Sequence, residues 1–382
     1  MAEAYLVGAV RTPVGKRGGA LSAIHPADLG ATVIRALLER TGADPDALDD
    51  VIWGCVGQMG PQASNIGRIT ALSAGLPEHV PGTTIDRQCG SSQQAVHFAA
   101  QAVMSGVQDL VVAGGVELMS QVPIASPTTI GLEHGMAHPR GGEDWRHRFG
   151  DQPISQFRGA ELIAEKWDLS RAAMEAFALE SHRRALAATE TGLFADEIVP
   201  VAGLDHDEGP RRGSTAEALA GLAPISEGGR LTAALASQIS DGAAALLVAS
   251  ERAVQRHGFR PLARVHTMAV VGSDPVLMLT GPIPATDAAL RRSGLTLDEI
   301  GTFEVNEAFA SVVLAWAAET GADLERTNPQ GGAIALGHPL GATGARLMTT
   351  MLHRMRRDGV RYGLQTMCEG GGMANATVLE LL

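Results

Sequence analysis

At 382 residues the chain has room for two or three domains of about 150 residues each, and its 45% hydrophobic against 19% charged residues is the balance of a packed globular protein. A formal charge of −12 excludes broad non-specific affinity for nucleic acid or an anionic membrane, so an anionic ligand would need a local arginine cluster. Three cysteines without a CxxC exclude a disulfide framework and a zinc knuckle, and no apolar run nears the ~18 residues of a membrane span.

In chain order, AYLVGAV (4–10) reads as a first strand, its apolar run too short for the h-region of a signal peptide. The expectation is therefore a protein of the reducing cytoplasm. A helix follows from about Pro26 to Thr41, with Leu29, Val33, Ile34, Leu37 and Leu38 at helical spacing. Strand 49–56, helix 65–75 closed by Gly75, strand TTIDRQ, a helix from about Gly90 to Ser105 and strand 109–120 continue the alternation. Such alternation means a largely parallel sheet covered by helices.

Residues 121–156 break the pattern with Pro, Gly, His and charge, and a stretch so long and irregular points to a lid or binding loop. Helices are expected at 157–167 and 170–191, a polar loop at 205–228 and a buried strand at 237–250. From Pro261 the alternation restarts: strand 263–272, helix 286–294, strand 303–309 into helix 310–319, a Gly-rich stretch, helix 343–355 and a strand pair to the C-terminus. The second half thus repeats the first in architecture without a clear residue-level repeat. A ligand is expected near the strand carboxyl ends, where the two halves meet.

Four places could carry chemistry. Cys89 stands where a strand hands over to a helix, and a thiolate there would face free N–H groups and the positive end of the helix dipole. Cysteine is also a common buried filler, so the segment alone leaves both readings open. His338, in GGAIALGHPLGATGAR (331–346), has little packing to explain it and suits a general base or an oxyanion donor. The same run resembles a phosphate loop, but lacks the Lys-Ser/Thr that should follow. Cys368 precedes three glycines, whose backbone N–H groups fit an oxyanion hole or simply a tight turn. Asn306, in NEAF, reads by itself as a helix N-cap.

Together, CGSS, NEAF, GHP and CEGGG, in this order and at these separations, resemble the motif set of the thiolases. RTPVGKRGG at the start, DEGPR at 207–211 and SQISDGAAA at 237–245 extend the resemblance almost end to end. It implies an α/β thiolase fold: two similar βαβαβαββ domains packed as five α-β-α-β-α layers, with an inserted loop domain. Residues 1–118 and about 237–258 would form the first domain, 119–236 the CoA-binding loop domain and 259–382 the second domain.

The resemblance also implies roles. Cys89 would be the nucleophile that takes the acyl group of a 3-ketoacyl-CoA, and His338 would activate it. His338 and a water on Asn306 would form one oxyanion hole, and the N–H groups of Cys89 and Gly370 the other. Cys368 would protonate the departing acetyl-CoA enolate and then deprotonate incoming CoA. Ser237 would contact the pantetheine arm, and Arg211 and Arg212 are candidates for the CoA phosphates. No permanently bound cofactor and no metal is implied, with CoA as co-substrate. Cys55 and His97 read as structural residues.

Departures bear on specificity. Gln156-Phe157 stands where short-chain relatives carry Met-Gly, and ALAS (234–237) where Gly-Asn often precedes the serine. Both favour a substrate other than acetoacetyl-CoA. Within the family the chain looks closest to actinobacterial thiolases of steroid breakdown. Its positive charge is almost all arginine, lysine occurring only at Lys16 and Lys166, as a GC-rich genome would give. A biosynthetic thiolase condensing two acetyl-CoA and a non-catalytic acyl-CoA-binding protein are the alternatives. A homodimer or homotetramer is expected, with SNIGRI (64–69) in a region often at the family's dimer interface.

Overall fold

The computed structural model describes residues 2–382. Strand β1 (Ala4–Arg11) leads through a two-residue β2 (Gly15–Lys16) to helix α1 (Pro26–Thr41). Local signals explain α1: Pro26 opens it, His25 caps it by accepting from Ala27 N, and Gly42 ends it at φ 67°. Its apolar stripe Leu29, Val33, Ile34, Leu37 and Leu38 is buried, as the spacing predicts. Then come β3 (Asp50–Gly54), α2 (Ile66–Ser73), β4 (Gly82–Ile85), α3 (Ser91–Met104) and β5 (Leu110–Leu118).

The middle of the chain carries α4 (Ser126–Glu133), α5 (Glu143–Phe149), α6 (Gln156–Lys166), α7 (Arg171–Glu190) and α8 (Ala216–Ala220). Next are β6 (Ser240–Ser250), α9 (Glu251–His257), β7 (Ala263–Gly272), α10 (Pro282–Ser293) and β8 (Thr302–Val305). Helices α11 (Ala310–Thr320), α12 (Ala333–Leu336) and α13 (Leu340–Asp358) and strands β9 (Tyr362–Glu369) and β10 (Met373–Leu381) complete it.

The strands run in the order β4-β3-β5-β6-β1-β7-β10-β9-β8, with β2 on β6. Only two residue pairs, Tyr5 with Arg264 and Leu6 with Ala263, join β1 to β7, so the sheet is two half-sheets with a narrow seam. Four strands of each half match, while edge strand β4 of the first half has no counterpart among the described residues. In one, β3 runs parallel to β5 and antiparallel pairs β5–β6 and β6–β1 follow. In the other, β8 runs parallel to β9, followed by antiparallel β9–β10 and β10–β7. The repeat lies in topology, where side chains are free to differ.

Three apolar clusters define the layering. Helices α1 and α2 cover the outer face of the first half-sheet through Ile34, Leu37, Ile66 and Trp53. Helices α10 and α11 cover the second through Ala285, Ala289, Trp316 and Phe303. Between the sheets lie α3 and α13, burying Val96, Met348 and Met351 against Leu6, Val111 and Leu246. The result is the expected five-layer α-β-α-β-α stack.

Several local expectations differ. The stretch 121–156 holds two short helices, α4 and α5, mostly exposed and therefore without the apolar stripe that would have marked them. The polar stretch 205–228 likewise holds α8, and β2 and α9 carry no pattern long enough to read. Strand β8 ends at Val305 rather than continuing to residue 309. The Asn328 side chain takes over there, accepting from Val305 N and donating to Val305 O, each at 2.8 Å. Asn306 consequently is not an N-cap, because α11 starts only after Phe309.

One buried charge cluster secures the end of β1. Arg11 is fully buried, with Nε 2.6 Å from Glu197 and Nη1 and Nη2 at 2.7 and 2.9 Å from the two oxygens of Asp207. This ties the segment after α7, including the DEGPR run, to the first strand. We expect Arg11→Leu, which leaves two buried carboxylates unpaired, to cost about 3–5 kcal/mol, read as a lower urea midpoint at unchanged m-value.

Candidate active site

Two helix starts and one strand end meet between the half-sheets. The first start carries Cys89. Gln88 before it is held at φ 49°, a left-handed conformation uncommon outside glycine. Short bonds enforce the turn: Gln88 N donates to Asp86 Oδ1 at 2.6 Å, and Ser91 Oγ accepts from Arg87 N at 2.9 Å while donating to Gln88 O at 2.6 Å. Cys89 is thereby half-buried at the mouth of α3, facing a cavity of about 340 Å³.

The second start carries His338, which is 3% exposed. Its Nδ1 lies 2.6 Å from Thr343 Oγ1, whose own proton goes to Pro339 O at 2.8 Å. Thr343 must therefore accept from His338, which puts the imidazole proton on Nδ1 and leaves Nε2 with a free lone pair. That Nε2 is 3.4 Å from Asn306 Nδ2. Asn306 is buried and its Oδ1 has no partner, so it has capacity to hold a water. Burial, reinforced by the Arg346 charge, lowers His338 to about 3, so the imidazole is neutral across physiological pH.

The strand end carries Cys368, wholly buried on β9 opposite Ala374. Burial first, then the neighbouring Cys89, pushes this thiol well above its ordinary range, so it is protonated at physiological pH. The chain then turns through Gly371 and Gly372, at φ 89° and 77°, which places Gly370 on the cavity wall with Cys89.

Glu117 was not singled out from the sequence, yet it organises the floor. It accepts from Val56 N, Gly57 N and Gly341 N, each at 2.9 Å, and from Gln62 Nε2 at 2.8 Å. It thus clamps the end of β3 to the first turn of α13. A lone acid in the apolar run LVVAGGVELM was the available signal.

This architecture has known counterparts. The model of the thiolase N-terminal domain matches residues 4–252, and that of the thiolase C-terminal domain matches residues 259–381. The chain belongs to the thiolase family. It is accordingly an acyltransferase. It is 61% identical to the steroid 3-ketoacyl-CoA thiolase FadA6 of Mycobacterium tuberculosis, over 100% of this chain and 95% of that one. It is 44% identical to the beta-ketoadipyl-CoA thiolase of Pseudomonas aeruginosa, over 99% of each. Among solved structures, the Bacillus anthracis acetyl-CoA acetyltransferase superposes with a TM-score of 0.89 at 36% identity, over 100% of this chain and 99% of that one.

Of the expected site residues only Cys89 and Gly370 of this thiolase line the cavity; His338, Asn306 and Cys368 are buried behind it, and the others lie elsewhere. Ser237 is held through its N–H to Ala308 O at 2.9 Å, and Ala308 lines that cavity. Arg211 borders a separate crevice of about 550 Å³ beside α7, with its N–H on His182 Nδ1 at 3.1 Å. Arg212 is exposed and paired with Glu190. Cys55 and His97 are wholly buried, the latter with Nε2 2.7 Å from Thr377 Oγ1.

Thr343→Val deletes the acceptor that sets the His338 tautomer, and we expect kcat to fall about tenfold or more with the fold intact. Because His338 is depressed to about 3, its protonation should leave no acid limb near pH 6.5 in kcat/KM for the ketoacyl substrate. Stopped-flow acylation rates against pH check this directly.

Proposed function

We propose that the enzyme is a degradative thiolase that cleaves a 3-ketoacyl-CoA with CoA into acetyl-CoA, or a related short acyl-CoA, and a shortened acyl-CoA. The observation that carries the mechanism is the neutral His338 at the head of α13. Its Nε2 is unprotonated beside Asn306, and Leu340, two residues on, shares the cavity of Cys89. In this reading Nε2 takes the Cys89 proton and the sulfur attacks the 3-keto carbon, whose oxyanion is held by His338 and the water on Asn306. The Cα–Cβ bond breaks, leaving an acyl-enzyme and the enolate of acetyl-CoA. Cys368 gives its proton to that enolate carbon, the enolate oxygen resting on the N–H groups of Cys89 and Gly370. The Cys368 thiolate then removes the proton of CoA, whose sulfur takes the acyl group. Cys89 leaves as thiolate and recovers its proton from His338. Thiol-to-thiol transfer costs little, because donor and acceptor have similar intrinsic acidity.

The degradative assignment is supported by the relatives named as 3-ketoacyl-CoA and beta-ketoadipyl-CoA thiolases. It is also supported by Gln156, which lines the cavity at the place where short-chain relatives carry Met, while its neighbour Phe157 packs edge-on against Phe309 at 5.6 Å. A steroid-ring-derived or fatty acyl chain is the substrate class we assign. Segment 119–236 is proposed as the CoA-binding loop domain, with Ser237 at the pantetheine arm and Arg211 toward the phosphates. Arg212 is the lesser candidate, since Glu190 already neutralises it. CoA enters as co-substrate, and a cytoplasmic homodimer or homotetramer is the form we assign. Among the described residues no helix is long and apolar enough to cross a membrane.

Cys89→Ala should lower thiolysis by at least about 10⁴-fold while the circular dichroism spectrum is unchanged. Retained turnover would remove Cys89 from the nucleophile role. Cys368→Ala should slow exchange of the C2 protons of acetyl-CoA, and exchange at the wild-type rate would exclude its acid/base role. The ratio of kcat/KM for a steroid-ring-derived 3-ketoacyl-CoA, a long-chain 3-ketoacyl-CoA and acetoacetyl-CoA tests the substrate. Preference for acetoacetyl-CoA would overturn the degradative assignment.

A further inference from the structure

A carboxyl group that this reaction does not use sits beside both catalytic cysteines. Glu369 follows Cys368 on β9, is wholly buried, and has no hydrogen-bond partner on either oxygen. It lies against the start of α3: a methyl group on Gly90 would collide with its Oε1 and stand 2.8 Å from Asn375 Nδ2. Asn375, on β10, commits Nδ2 to Gly90 O at 3.1 Å, which leaves its Oδ1 as an acceptor, buried and equally without a partner. The fourth orphaned atom here is Nε of Arg87, in the loop that carries Cys89.

Buried polar atoms without partners are rare because each forfeits its solvation for nothing. An ionised Glu369 accepts from no donor here and has no proton to offer the orphaned Asn375 Oδ1. No donor reaches either oxygen and Arg87 acts on it only through its charge, so an ionised Glu369 would be a buried carboxylate without a hydrogen bond, whereas the neutral acid has no charge to solvate. We propose that Glu369 is a positioning residue held as the neutral acid, packed against Gly90 at the start of α3 and keeping negative charge away from the nucleophile and from Gly370.

The surroundings agree. Burial pushes Glu369 up to about 8, with Arg87 opposing the shift and Asp86 adding to it. The charged and titratable groups facing it are Arg87 and Asp86 from the loop, Cys89 at the helix start and Cys368 on its own strand. Strand β10 presents only uncharged Met373 and Asn375 at this level. An ionised Glu369 raises both Cys89 and Cys368, the reverse of what a nucleophile needs. The consequence is a built-in alkaline limit: above about pH 8 a negative charge forms beside the start of α3 and the Cys89 thiol becomes harder to ionise.

This inference rests on Cys89 as the nucleophile for its bearing on turnover. Turnover retained by Cys89→Ala would sink that reading and leave the following tests standing. The full-length enzyme and Glu369→Gln are alkylated with iodoacetamide over a range of pH, and labelling of Cys89 is followed by mass spectrometry. The amide keeps a donor and an acceptor but never ionises. The ratio of rates, Gln variant over wild type, should rise about fivefold or more between pH ~6.5 and ~9.5. A flat ratio overturns the proposal.

Thermal unfolding gives a second reading. A carboxyl raised from 4.5 to about 8 on folding contributes stability that is fully present below the lower value and is lost as pH climbs to the upper one. The Tm of wild type should therefore fall relative to Glu369→Gln over that window and level off above it. Parallel Tm curves for the two proteins would equally overturn the assignment.

Discussion

The active site depends on two helices being pressed together with their first turns side by side. α3 and α13 lie between the half-sheets, and their starts are close enough that ordinary side chains would not fit. A Cβ on Gly344 would run into the backbone and side chain of Gln93, and one on Gly341 into Cys55 Cα and Gly54 O. Here glycine is required by space, its lack of a side chain letting backbone meet backbone. The result brings two positive dipole ends to one point, where the Cys89 loop and His338 sit. Glu117 closes the arrangement by bonding the first turn of α13 to the end of β3.

Burial supplies the second ingredient. A neutral imidazole and a protonated Cys368 thiol are both favoured by removing water, and burial raises the Cys89 thiol as well, so all three are neutral at rest. His338 and Cys368 are shifted in opposite directions by the same cause, one down and one up, and both end neutral at physiological pH. Neutral partners on both sides of the nucleophile allow protons to move without building uncompensated charge inside the protein. The Thr343 hydroxyl then decides which nitrogen of His338 is the base.

Much of this was legible in the chain. The alternation of strand and helix, the caps of α1 and the two-half architecture follow from local periodicity and from Pro and Gly at element ends. Each catalytic candidate could be singled out by its position at a strand or helix end. Their cooperation was not legible from residues alone, because the separations along the chain, from Cys89 to Cys368, carry no distance in space. It came from resemblance. The short helices α4, α5 and α8 escaped notice because they are largely solvent-exposed, and helices without a buried face leave no stripe in the sequence.

Other features exist only in the folded molecule. Asn306 reads as a cap until Asn328, twenty-two residues on, ends β8 at Val305 and leaves Asn306 facing His338. Glu117 and Glu369 read as isolated acids in apolar strands, and their roles depend on which backbone groups neighbouring strands bring beside them. The sequence by itself determined most of the strand–helix alternation and the inventory of reactive groups, because periodicity and end signals are local, while the five layers came with the resemblance. The tertiary structure decided protonation states, the histidine tautomer and which groups share a cavity, because burial and hydrogen bonding are properties of neighbours that the chain order does not contain.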